Sequence, residues 1–164
     1  MTLVNVLEEG RQDVIASVAA LSDEQAGTKP APGRWSALEC LEHLVIVEER
    51  FLGWIANGSV LDAPQPSSEK EAQLGAAIAD RSHKVQAPEA VVPTGRYQTV
   101  AEAVEAFHRV RDLSVRIAQE RGDALYAVGV KHPRFGEMNG AELLHLMSGH
   151  GRRHAAQIRE AAAG

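Results

Sequence analysis

The stretch Asn139-Gly-Ala-Glu-Leu-Leu-His-Leu-Met-Ser-Gly-His-Gly-Arg-Arg-His-Ala-Ala-Gln-Ile158 decides the fold and points at the chemistry. Leu143, Met147 and Ile158 recur at helical spacing, so the segment reads as an amphipathic helix with one inward stripe. Asn139 and Glu142 stand at the spacing of a capping box, which marks the start of that helix. His150 and His154 are four residues apart on the same stripe. That spacing brings their Cβ atoms to about 5–6 Å, so two imidazoles can close on one metal ion. Imidazoles turned toward a core need a partner, because an unsatisfied buried polar group costs free energy. A metal is one such partner, and His43 is a candidate third ligand.

Gly149 and Gly151 flank His150 in what reads as mid-helix. Each costs roughly 1 kcal/mol against alanine there. They signal a close approach to the backbone, by another helix or by a ligand. Position 151 is glycine rather than glutamate, so this is not the His-Glu-x-x-His of zinc proteases, which places a general base between the ligands.

Working outward, three more long helices are expected. The first runs from Leu3 to Leu21, with Leu3, Leu7, Val14, Val18 and Leu21 on one stripe. Gly27, Pro30, Pro32 and Gly33 then break the chain. The second opens at Ser36, where Ser36 and Glu39 form a capping box, and stops at Asn57-Gly58. Residues 59–98 are mixed, with a shorter helix predicted over Glu69 to Lys84 and loop residues at Pro88, Pro93 and Gly95. The third opens at Thr99 with Glu102 as its box partner. Val100, Val104, Phe107, Val110, Leu113 and Ile117 are expected on its apolar face, and Arg121-Gly122 ends it. Residues 123–138 are a connection to the last helix. No run alternates long enough to argue for a sheet. The fold class expected is all-α: a four-helix bundle in a single domain over residues 1–164, with a long connection between the second and third long helices. That connection permits a crossover rather than a plain meander, and spacing alone does not decide between them.

Composition narrows the function classes. The 164 residues suffice for one domain with a real core, and 45% hydrophobic content is ordinary for a globular chain. A net charge of −5 argues against a nucleic-acid binder, which would show a basic face. No apolar run approaches the ~20 residues that a membrane helix needs. The N-terminal Met-Thr-Leu-Val-Asn-Val-Leu-Glu-Glu has acids where a signal peptide has Lys or Arg, so a cytoplasmic location is expected. The single cysteine, Cys40, excludes an intramolecular disulfide and fits a reducing compartment. The partners expected are a small-molecule substrate and neither nucleic acid nor membrane, with a homodimer left open.

The other polar candidates divide by position. His83 and His108 fall on polar stretches and read as solvated. His145 lies off the stripe of the pair and reads as structural or exposed. His132 precedes Pro133 in a loop, where a turn role competes with a place at a pocket mouth. Glu39, one turn before His43, either orients its ring or caps the helix, and the Ser36 spacing accounts for it fully as a cap. Gln157 shares the face of the histidine pair and either lines the site or packs. Cys40 reads as a small buried hydrophobe rather than a soft ligand. Arg152 and Arg153 are expected to point off the ligand face into solvent.

Trp35-Ser-Ala-Leu-Glu39-Cys-Leu-Glu-His43-Leu resembles the "W-S-x-x-E-x-x-x-H-L" opening of the second helix in DinB-like proteins. His150-Gly-Arg-Arg-His154-Ala-Ala-Gln157-Ile158 resembles their closing "H-x-x-x-H-x-x-Q-I". Pro93-Thr-Gly-Arg-Tyr97 and His132-Pro-Arg-Phe-Gly136 are similar to family patterns, less specifically. The resemblance spans nearly the whole chain. It implies a four-helix bundle in up-down-down-up order and a divalent metal, commonly nickel or zinc, on three histidines. Position by position these are His43, His150 and His154. Members include S-transferases and an isomerase that use low-molecular-weight bacterial thiols, and metal-dependent hydrolases. The resemblance favours a thiol-dependent S-transferase acting on small molecules. A metal-dependent hydrolase is the alternative, and a non-catalytic metal or small-ligand binding bundle is a third reading.

Overall fold

Ser36 Oγ accepts the amide of Glu39 at 3.2 Å, and Glu39 Oε2 accepts the amide of Ser36 at 2.8 Å. Two orphan donors are thus satisfied reciprocally, and the helix carrying His43 starts where the sequence places it. The same box closes at Thr99 and Glu102. At Asn139 the arrangement is different. Asn139 Oδ1 accepts the Glu142 amide, but the Glu142 carboxylate accepts from the Asn139 side chain at 2.7 Å rather than from its backbone.

The structure, a computed structural model, describes residues 1–62 and 66–164. Residues 63–65, part of the connection read above as mixed, lie outside the described residues. The described chain is mostly helical: α1 (Leu3–Val18), α2 (Asp23–Gly27), α3 (Ala37–Ala56), α4 (Ser68–Ala79), α5 (Val100–Arg121) and α6 (Gly140–Ala163). The first helix stops three residues before Leu21, because Ser22 opens the short α2 with its own capping box to Gln25. The shorter helix expected over 69–84 ends at Ala79. No helix among the described residues is long and apolar enough to cross a membrane.

A small sheet corrects the expectation of no strands. β1 (Ser59–Val60), β2 (Val128–His132) and β3 (Gly136–Asn139) pair antiparallel in that order. Gly129 stands opposite Asn139, and His132 opposite Gly136. The strands are two, five and four residues long, too short for alternation to show in sequence. Gly136, at φ 76°, allows the tight return between β2 and β3.

Contacts between helices position the site. Ser148 Oγ donates to the Val6 carbonyl at 2.8 Å, and farther along Arg159 donates to Asp13 Oδ1 at 2.8 Å, so α1 and α6 meet over several turns. The glycines of α6 are explained here. A Cβ on Gly149 would lie 2.6 Å from Ile78 Cγ2 and 2.9 Å from Gly75 Cα, and one on Gly151 would lie 3.2 Å from Val14 Cγ2. The close approach is therefore by helices α4 and α1, not by a ligand.

In α5 the apolar stripe departs from the expectation at Leu113, which is 48% exposed while Arg111 is fully buried. Arg111 bonds both carboxylate oxygens of Glu48, at 2.7 and 3.1 Å, and the Leu7 carbonyl at 2.7 Å. Ser114 Oγ adds a bond to Glu48 at 2.8 Å. A fully paired charge replaces a hydrophobe where α1, α3 and α5 meet.

Candidate metal centre

His43 comes from the middle of α3, and His150 and His154 from successive turns of α6. Their Nε2 atoms converge. His43 Nε2 lies 3.1 Å from His150 Nε2, and His154 Nε2 lies 3.1 Å from the same atom. Among the described residues this is a group of three metal-ligating side chains with one donor atom each, all within 4.8 Å of one another. Two nitrogens bound at ~2.0–2.1 Å to a tetrahedral ion stand about 3.3 Å apart, so the observed spacing matches a shared ion.

The far side of each ring fixes the tautomer. His43 Nδ1 donates to the Val91 carbonyl at 2.8 Å, and His154 Nδ1 donates to Gln157 Oε1 at 3.0 Å. The lone pairs of both Nε2 atoms then face His150 Nε2. A single ring N–H can satisfy one of them but not both. A cation satisfies all three, and outer hydrogen bonds of this kind are what orient histidine ligands. Burial keeps all three rings below the ordinary histidine range, His150 and His154 well below it, and the neighbouring imidazoles add to the shift for those two. At neutral pH the rings are uncharged, the state ligation requires.

The outer partners differ from those the sequence suggests. Gln157 lines the cavity and accepts from His154 Nδ1. Glu39 does not act on His43: its carboxylate is held by the Ser36 amide and by Lys29 Nζ at 2.9 Å. The acceptor for His43 is instead a backbone carbonyl in the 3-10 turn Glu89–Val91, which no side-chain motif announces. Trp35, adjacent to the helix cap, lies against the rings of His43 and His154, with centroids at 4.7 and 6.0 Å.

Arg153 is a correction. It is buried rather than solvated, and its guanidinium donates to the carbonyls of Ile78, Asp80 and His83, which ties the end of α4 to α6. Arg152 is exposed as expected, beside Glu9. Cys40 is buried, its thiol is pushed up to about 12, first by burial, and it stands outside the group of three histidines. His145 is structural, 3.3 Å from Glu71. His83 is exposed, whereas His108 is half-buried and accepts from Arg11 at 3.4 Å. His132 fills both roles weighed for it. Its Nδ1 accepts the amides of Arg134 and Phe135 in the β2–β3 turn, and its ring lines the cavity over the three histidines. That cavity has a volume of about 740 Å³ and aromatic walls at Trp35, Phe51 and Trp54.

A mostly helical fold with three converging histidines is the class that these observations define. The chain belongs to the DinB superfamily, whose family model matches residues 6–158. Among solved structures it is similar to YfiT from Bacillus subtilis, described as a probable metal-dependent hydrolase with an unusual four-helix bundle topology. The identity is 16%, the TM-score 0.59, and the match covers 98% of this chain and 84% of that one. No curated protein matches the chain.

Proposed function

We propose that this protein is a metal-dependent enzyme that binds one divalent ion on His43, His150 and His154, and that it is a thiol-dependent S-transferase acting on small molecules. The observation that carries the metal reading is the convergence of three Nε2 atoms, two of them with Nδ1–H already committed to acceptors. A donor set of three imidazoles suits zinc or nickel. Three protein ligands leave coordination positions open, as in catalytic rather than structural sites. When bound, such an ion lowers the pKa of a coordinated thiol or water and so supplies a nucleophile at neutral pH. The chain's own residues orient the ligands through Val91 and Gln157 and wall the site with aromatic rings.

Transfer is favoured over hydrolysis by what the wall lacks. Among the described residues no Asp or Glu lines the cavity, so no carboxylate is placed to act as general base on water. A coordinated thiol, more acidic than water, gives up its proton to solvent with less need of such a base. The cavity, about 740 Å³, also has room for a thiol beside an electrophile. Hydrolysis is the second reading, supported by the description of YfiT and by His132 as a neutral imidazole in the wall. We infer an up-down-down-up order for α1, α3, α5 and α6. It is supported by pairs that advance together along α1 and α6 (Val6 with Ser148, Asp13 with Arg159) and by Leu7 bonding Arg111 while α2's Asp23 bonds Val100.

The test is metal analysis followed by turnover on the same sample. About one ion per chain is expected in the wild type and far less in His150→Ala. Equal metal content in both would sink the ligand assignment. Zinc- or nickel-loaded protein should accelerate conjugation of an electrophile to a low-molecular-weight thiol, and His43→Ala should lose that gain. Metal-dependent cleavage of an ester or amide without any thiol transfer would install the hydrolase reading, and neither activity would leave a binding module.

A further inference from the structure

The wall of the cavity inverts the charge of the molecule. The chain has 22 acidic and 17 basic side chains and a net charge of −5. Yet the cavity is lined by Arg34, Arg50, Arg81, Lys84, Arg134 and Arg153, and among the described residues by no acid at all. Two of these cations have structural work. Arg81 is held by Glu160 at 2.8 Å, and Arg153 by three carbonyls of the α4 end. The other four make no ion pair among the described residues.

Two of those four are set in place. The Arg50 guanidinium lies 5.9 Å over the Trp54 ring, and that of Arg134 lies 5.0 Å over Phe135. Both aromatic rings pack on His132, with centroids at 5.9 and 5.1 Å. His132 itself accepts two backbone amides at Nδ1, so its neutral ring carries the proton on Nε2 as a donor. One side of the cavity therefore gathers two stacked guanidiniums and an imidazole N–H around an aromatic wall. Stacking pre-organises an arginine, and its planar fork suits carboxylate or phosphate oxygens. A concave, low-dielectric wall of one sign concentrates ligands of the other.

We propose that Arg50, Arg134 and His132 form an anion subsite, and that the molecule bound beside the three histidines is a small anion carrying carboxylate or phosphate on an apolar, ring-sized body. The proposal rests on the reading of the three histidines as a metal site only for the location of the reacting group. The subsite itself is complete without metal.

The chain's two tryptophans, Trp35 and Trp54, both line the cavity, so intrinsic fluorescence reports occupancy. The full chain would be titrated, metal-free and zinc-loaded, with phthalate, phenyl phosphate and the neutral dimethyl phthalate. Both anions should bind the metal-free protein at least about tenfold more tightly than the diester, as expected for charge-assisted bidentate contacts. The preference should collapse in the double variant Arg50→Gln/Arg134→Gln, persist in Arg116→Gln on the exposed face of α5, and weaken with added salt. The relative strength of phthalate and phenyl phosphate separates the carboxylate and phosphate arms. Equal binding of the diester overturns the proposal, as does an unchanged preference in the double variant or anion binding that appears only with zinc. Failure of the metal reading looks different: zinc is not retained while the anion preference stands.

Discussion

His154 reaches its Nε2 position because Gln157, one turn on, accepts its Nδ1–H at 3.0 Å. Replacing that acceptor should loosen the ring while leaving all three imidazoles of the proposed metal site in place. Gln157→Leu is expected to lower zinc affinity by about 10–100-fold while leaving stoichiometry at saturation unchanged, read by competition with a chromophoric chelator. Loss of stoichiometry would mean that Gln157 holds up the helix rather than the ring. The histidines also make the metal-free protein acid-sensitive. Their folded-state pKa values lie below the ordinary 6.5, so the unfolded chain takes up protons first as the pH falls. Stability from this source is intact above 6.5 and declines below it, down to the depressed folded values. Urea midpoints between pH 7.5 and 5 should fall, and fall less steeply in His150→Ala. At this scale the convergence of His43, His150 and His154 was legible, because helical spacing puts two of them together and a motif supplies the third. The Val91 carbonyl was not legible, because every residue has one and only tertiary structure selects it. Buried Arg153 was missed because three carbonyls, distant in sequence, pair it.

Gly149 and Gly53 show what a helix interior permits. Both sit inside long helices, where alanine would be favoured by propensity alone. At Gly53 a Cβ meets nothing within 4 Å, so Gly53→Ala should stabilise by about 0.4–1 kcal/mol. At Gly149 it would meet the Gly75 backbone and Ile78, so Gly149→Ala should destabilise by about 1–3 kcal/mol as α4 is pushed from α6. Thermal or urea unfolding of the two variants checks the opposite signs, and stabilisation by Gly149→Ala would contradict the close packing. Helix starts were legible to the residue, since Ser36, Thr99 and Asn139 each announce themselves with a glutamate three positions on. The sheet was not. Its longest strand, Val128–His132, packs three buried residues in a row and offers no alternation to read.

Across the whole molecule, the buried Glu48–Arg111 pair joins α1, α3 and α5. The two side chains are 2% and 1% exposed, which places the pair among the buried kind whose loss is asymmetric. Periodicity could not reveal it. A stripe reading assigns the core side of α5 to its hydrophobes and so prefers Leu113 to Arg111, whereas the fold buries the arginine because a glutamate from another helix faces it. Removing one partner should therefore be worse than removing both. Arg111→Met strands the Glu48 carboxylate and its bond from Ser114, and is expected to cost about 3–5 kcal/mol. Glu48→Met with Arg111→Met leaves no unpaired charge and should recover a large part of that loss. Urea unfolding of the two single variants and the double variant, with metal removed throughout, gives the coupling directly. Additive losses would show that the pair contributes packing volume alone and that the charge is not what joins the three helices.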